Sequence, residues 1–422
     1  MSKSGLASLA CLLAACGTPH ASPSPSPSPP TPIASHGVEY RGGVWFDGSK
    51  FVPRTMYVAE GVLYARAPTQ IDSIVDLAGG YVVPPFSDAH QHLLDPRIDQ
   101  TIATQLRAGI FYLKDQGSAP IIRRMIDPAL NKPTAFDFIG ANQGWTSPGG
   151  HPVEVIKRGA SAGPFAAFIR DSLDPATVMQ VETAADIDKR WAYFLAGKPD
   201  FVKIYLFRSE NYERLVRQAP EGSYGMNPAL VPEIVRRAKA AGLQVSAHVY
   251  TAADFRNAVN GGVEQIAHLP GGRGPDSMFN LTEADAAAAA KRGVTVITTV
   301  TQHQDSALTA RLLTTQYAHN ITVLRRHHVP LLIGSDLIGE TAAIEIAALA
   351  RSGLFTNLEL LRMWSVTTPQ AIFPKRRIGA LQDGYEASFL VLRENPLHDI
   401  AATRAITLRV KQGVRLASNA ER

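Results

Sequence analysis

The stretch Gly80-Tyr81-Val82-Val83-Pro84-Pro85-Phe86-Ser87-Asp88-Ala89-His90-Gln91-His92 runs from an apolar segment into two histidines two positions apart. Strand side chains alternate with period two, so His90 and His92 leave the same face of a strand that ends there. Two neutral imidazoles side by side make half of a metal site. The reading turns on whether later strands end in further ligands.

Downstream, apolar strand candidates recur at a steady interval. After residues 82–92 they fall at 109–113, 135–141, 201–206, 244–250, 265–269, 294–300 and 330–336. Segments of helical period separate most of them, at 184–196, 228–241, 252–259, 283–292 and 342–350. Thr251 with Asp254 and Thr282 with Asp285 open two of these as capping pairs. Eight strands interleaved with helices indicate a (β/α)8 TIM barrel. An open doubly wound sheet is the alternative, because periodicity alone does not close a barrel.

In such a barrel the chemistry sits at the C-terminal ends of the strands. There this chain places His90 and His92 on the first, Lys203 on the fourth and His248 on the fifth, with His268 on the sixth and Asp336 on the eighth. A single buried histidine is ordinarily a satisfied core residue. Four histidines and an aspartate at matched positions form a constellation. The barrel reading and the metal reading support each other.

Short strands with Asp-Gly and Glu-Gly turns fill 42–64, and similar strands return at 378–381, 388–392 and 405–410. All-β fragments at both ends of an alternating middle suggest one composite β-sandwich, residues 37–82 with 376–422, around a barrel at 83–375.

The first residues read differently. Lys3 precedes a short apolar run that ends in Leu13-Ala14-Ala15-Cys16. This resembles a bacterial lipobox, and makes residues 1–16 a lipoprotein signal peptide with Cys16 as the lipidated residue. Ser-Pro alternation then makes 17–36 a linker of polyproline II character. The expected location is the bacterial cell envelope, lipid-anchored at the outer membrane, with membrane contact through the anchor only. Both cysteines, Cys11 and Cys16, lie in the leader, so the body has neither a disulfide nor a thiolate ligand. A formal charge of +5 on 422 residues, with no basic block, gives nucleic-acid binding no support. The hydrophobic content of 45% suits an enzyme-sized folded body.

From Tyr40 to about Val414 the chain resembles the amidohydrolase superfamily of metal-dependent hydrolases. The resemblance rests on the HxH, on Asp200-Phe201-Val202-Lys203-Ile204-Tyr205, on the single histidines His248 and His268, and on Gly334-Ser335-Asp336. Gly261 to His268, Thr367 to Ala371, Gly379-Ala380-Leu381 and Asn395-Pro396-Leu397 add to it. Two departures are visible: Pro85-Phe86-Ser87-Asp88 replaces the usual Pro-Gly-Leu/Ile-Asp, and Ala387-Ser388 an Ala-Asp pair. Neither touches an expected ligand.

The resemblance implies two divalent metal ions, zinc fitting the ligands best. His90, His92 and Asp336 are expected on one ion and His248 and His268 on the other, bridged by Lys203 as a carboxylated lysine. An unmodified ammonium has no lone pair to donate, whereas an anionic bridge offsets the repulsion between two cations. A mononuclear site with Lys203 in an ordinary ion pair is the alternative. Asp336 is also the expected catalytic residue, taking a proton from an activated water and passing it to the leaving group.

Gly149-Gly150-His151-Pro152 resembles the Gly-Gly-His of the prolidase-like and imidazolonepropionase-like branch, where the histidine contacts substrate. Tyr205 and Tyr250, each two positions beyond a ligand, share its side of the strand and are further expected substrate contacts. Trp145, in the loop after the third strand, and His303, after the seventh, are weaker ones. The expected activity is hydrolysis of a carbon–nitrogen amide bond in a short peptide or small molecule, such as a dipeptide or an N-acyl amino acid. A lactonase or esterase using the same site is the nearest rival, and a non-catalytic metal- or solute-binding lipoprotein the second. The reading admits a homo-oligomer.

Overall fold

The computed structural model describes residues 35–95, 97–162, 176–303 and 305–417. The lipobox, Cys16 and the Ser-Pro linker up to residue 34 lie outside these. Among the described residues no helix is long and apolar enough to cross a membrane.

The fold is a (β/α)8 barrel carrying a small β-sandwich assembled from both ends of the body. Barrel strand one is Phe86–Gln91, strand two Ile110–Asp115 and strand three Asp137–Gly140. These three pair in parallel. Strand three breaks at Asn142, which holds a left-handed φ of 58°, and resumes as Gly144–Thr146. The resumed half pairs with strand four, Val202–Tyr205. Strand five (Val245–His248), strand six (Gln265–Ile266), strand seven (Thr295–Ile297) and strand eight (Leu331–Leu332) continue the parallel order.

Two backbone bonds join strand eight to strand one: Ala89 N donates to Ile333 O at 2.9 Å, and Asp336 N to His90 O at 2.9 Å. Gly334 is required at this seam. A Cβ there would stand 2.8 Å from His90 Cβ and 2.5 Å from Ile297 Cγ2, closer than atoms pack. The seam brings Asp336 beside the HxH.

Helices cover the outside. Thr251 and Thr282 cap Ala252–Gly261 and Glu283–Lys291, each with the full reciprocal box to Asp254 and Asp285. The hydroxyl fixes the third helical N–H while the aspartate returns to the threonine N–H.

The run 82–92, expected as one strand, is two. Pro84 and Pro85 offer no N–H to a ladder, so the chain changes sheets there. Tyr81–Val83 pairs with His36–Phe46 and Phe389–Leu392 in the small β unit, and Phe86–Gln91 starts the barrel. That unit also holds Gln70–Asp76, a strand too exposed to show alternating hydrophobicity. Its core is aromatic: the Phe389 ring lies 5.0 Å from Tyr40 and 5.3 Å from Trp45. A buried ion network ties it to the barrel. Lys411 Nζ reaches Asp137 of strand three at 2.7 Å, and Arg376 reaches the same carboxylate at 2.8 Å.

Candidate metal centre

His90 is buried at the end of strand one. Its Nδ1 faces Ala267 O at 3.0 Å, and its Nε2 lies 3.3 Å from Asp336 Oδ1. His92, one residue beyond the strand, repeats the pattern: Nδ1 faces Gly117 O at 2.8 Å and Nε2 lies 3.2 Å from the same Oδ1. A carbonyl can only accept, so each ring places its proton on Nδ1 and turns the Nε2 lone pair inward.

His268 stands beside them, its ring 4.6 Å from that of His90, with Nδ1 3.9 Å from Asp336 Oδ2. One donor atom from each of His90, His268 and Asp336 lies within 4.8 Å of the others, a group that could hold a metal ion. His248 packs its ring 4.5 Å from that of His268. Its buried Nε2 has no hydrogen-bond partner among the described residues, and such an orphaned atom fits a ligand waiting for a cation.

Lys203 is almost wholly buried. Its Nζ donates to Gln116 Oε1 at 3.3 Å, and its charge bears on Asp336, His90, His248 and His268. All six expected ligand residues thus gather at the C-terminal mouth of the barrel: His90, His92 and His268 each lie within 4.0 Å of Asp336, and His248 joins them through its ring contact with His268.

Burial decides the charge states. It pushes His90, His248 and His268 well below the usual histidine range, and neighbouring positive groups push the same way. These rings are neutral, as ligands must be. Burial also works against charge on His92, but the Asp336 carboxylate outweighs it and raises that group. For Asp336, burial favours the acid, while His92, His268 and Lys203 together hold the carboxyl below its usual range. Burial brings the Lys203 amine down to about 7, against the pull of Asp336.

The supports of this cluster escaped the sequence reading. Asp88 is buried, and its carboxylate accepts from His90 N at 3.0 Å, Ser335 N at 3.1 Å, Ser335 Oγ at 2.7 Å and Gln91 Nε2 at 3.0 Å. It thereby clamps the HxH to the residue before Asp336, which itself holds a left-handed φ of 54°. Burial raises Asp88 to about 6, opposed by those same bonds. Its alternation with His90 and His92 was the available signal. Below Lys203, the buried amine of Lys114 donates to Gln265 Oε1 at 2.7 Å and rests over the Phe201 ring. Gln116 joins the layers by accepting from Ser246 Oγ at 3.0 Å.

His151 reaches the cluster: its ring lies 4.7 Å from His248 and stacks on Phe207, while Glu154 Oε1 holds its Nδ1 at 2.8 Å. Tyr205 stands 5.8 Å from the His248 ring. Tyr250 sits one layer farther away, stacked on Phe207 and edge-on to Phe279. Trp145 does not belong here. It lies in strand three rather than a loop, fully buried against Trp191 and Phe194. A cavity of ≈ 260 Å³ adjoins His92, lined in part by Leu93, Leu94, Gln105 and Ile338.

Comparisons with known proteins agree with this fold. The model of the amidohydrolase family matches residues 81–415. A prolidase solved with N-methylphosphonate-L-proline superposes with a TM-score of 0.70 at 19% identity, covering 91% of this chain and 100% of that one. A Xaa-Pro dipeptidase with bound methionine gives 0.68 at 14% identity, covering 90% and 100%. These likenesses show the fold. Among curated sequences, uncharacterized proteins of Mycobacterium bovis and Mycobacterium tuberculosis are 29% identical over 134 residues. That match spans 27% of this chain and 22% of the relatives' length.

Proposed function

This chain belongs to the amidohydrolase family, hydrolases of carbon–nitrogen bonds, and we propose that it cleaves the amide bond of a dipeptide or N-acyl amino acid. The observation that carries the proposal is the convergence of His90, His92 and His268 on one Asp336 carboxylate, with the orphaned His248 Nε2 beside them. These residues fit divalent cations. His90, His92 and Asp336 would hold one, and His248 and His268 the other, with Lys203 between; imidazole-rich mixed ligation favours zinc.

When bound, such cations polarise a substrate carbonyl and lower the pKa of water. The chain's own residues do the rest. An Oδ atom of Asp336 takes the proton of the attacking water and delivers it to the departing nitrogen. Glu154 fixes His151 through Nδ1, leaving its other nitrogen for substrate, and Tyr205 closes the same wall. With its amine brought down to about 7, Lys203 offers a neutral nucleophile near neutral pH. That amine can add to carbon dioxide, losing one proton and gaining the carboxylate a bridge requires. The likeness to a prolidase and a Xaa-Pro dipeptidase supports a substrate of dipeptide size.

The test is a hydrolysis screen of metal-loaded protein across dipeptides, N-acyl amino acids and lactones. Turnover of the amides is expected to exceed that of lactones; turnover of lactones alone would overturn the amide assignment. The Leu13-Ala14-Ala15-Cys16 sequence further supports attachment to the cell envelope through a lipidated Cys16. Cys16→Ser should then release the protein from membranes, and continued membrane association would count against the anchor.

A further inference from the structure

Glu345 lies in the first turn of Ala343–Ser352, the helix after strand eight, and is fully buried. Among the described residues, every donor its carboxylate accepts from belongs to the end of strand seven. Thr298 Oγ1 donates at 2.5 Å, Val300 N at 2.9 Å, Thr301 N at 3.0 Å and Thr301 Oγ1 at 2.8 Å. A carboxylate has about four acceptor positions and no proton to give, so the two sides match. These bonds bracket one residue, Thr299, and leave it out.

Thr299 holds φ at 40°, a left-handed conformation that a β-branched residue adopts only when its surroundings over-determine it. The Glu345 bonds on both sides supply that determination. In this conformation Thr299 Oγ1 lies 2.8 Å from His268 Nδ1, both residues being buried. His90 and His92 have a backbone carbonyl in the corresponding place. For His268 the partner is a side-chain hydroxyl, which orients the ring only if its own backbone is held.

We infer that Glu345 is a positioning residue for His268: it pins the end of strand seven so that the Thr299 hydroxyl accepts the Nδ1 proton and leaves the lone pair on Nε2. The inference rests on the reading of His268 as a metal ligand. Glu345 touches neither metal nor substrate and acts through Thr299.

The experiment uses metal-free protein labelled with ¹⁵N-histidine, followed by titration with zinc under a competing chelator. Wild type should show His268 protonated at Nδ1. Thr299→Val, which keeps the side-chain shape and every Glu345 bond, should lose that signature and bind zinc about 10- to 100-fold more weakly, the usual scale for a ligand's supporting group. Glu345→Gln should do the same, whereas Thr299→Ser should restore both readouts. The double variant Glu345→Gln/Thr299→Val should bind no more weakly than the weaker single variant, since both act through one hydroxyl.

Multiplying effects in the double variant, or a wild-type His268 protonated at Nε2, would overturn the inference. If Glu345→Gln does not fold, Thr299→Val with its serine control decides alone. If wild type binds no zinc, the metal reading fails, and the imidazole signature still decides whether the clamp sets the His268 proton.

Discussion

At one corner of the cluster, His90 and His92 engage Nδ1 with backbone carbonyls and turn Nε2 to Asp336, itself anchored through Asp88 and Ser335. At the other corner the His248 Nε2 has no partner among the described residues, and the Lys203 amine has one long bond to Gln116. The first corner is oriented by the chain's own hydrogen bonds, its Nε2 lone pairs left facing Asp336. The second is left with buried, unmatched polar atoms, which cost free energy until something binds them. On the proposed reading, folding orients one half of the centre, and a cation with a carboxylated Lys203 would complete the other.

Disabling the finished corner should have the largest effect. Asp336→Asn keeps the shape but removes the proton acceptor, and kcat should fall by about 10³-fold, within the range for a lost general base. Comparable turnover would mean that the proton leaves by another residue.

The unfinished corner should be less sensitive and conditional. Lys203→Ala should cost about 10²-fold in kcat, the scale of one missing electrostatic stabiliser. The wild-type protein exposed to ¹³C-bicarbonate should show a carbamate resonance that the variant lacks. The sign of the pH effect follows from the depressed amine: it is neutral above about 7 and an ammonium below, so carbamate should accumulate as pH rises through 7. Formation that falls over that range would contradict the assignment.

Still smaller effects are expected along the substrate wall. His151→Ala should lower kcat/KM about tenfold, one hydrogen bond to a charged group, and Tyr250→Phe by about threefold or less. Tyr250 lies a layer away from His248, whereas His151 touches it. A reversed order would move the substrate toward the Phe279 side of the mouth.

What could be read from the sequence follows the same division. His90, His92, His248, His268 and Asp336 are visible because each ends an apolar run, and strand period and barrel topology place them together. Their supports are not visible. Glu345 meets Thr298 across 47 positions through the packing of neighbouring strand–helix units, and Asp88 meets Ser335 across 247 through closure of the barrel. Trp145 misled because a broken strand reads like a loop, its interruption at Asn142 standing just before it. The joined run 82–92 misled because apolar residues flank Pro84 and Pro85, hiding the change of sheet that the prolines impose.

We propose that this barrel mouth holds two metal ions, one corner oriented by folding and the other completed on binding. Metal analysis of the purified full chain, alongside Lys203→Ala, tests it most directly. About two divalent ions per chain are expected in the wild type, and the loss of one in the variant. Wild-type protein that binds no divalent metal, or a variant that retains both ions, would contradict it.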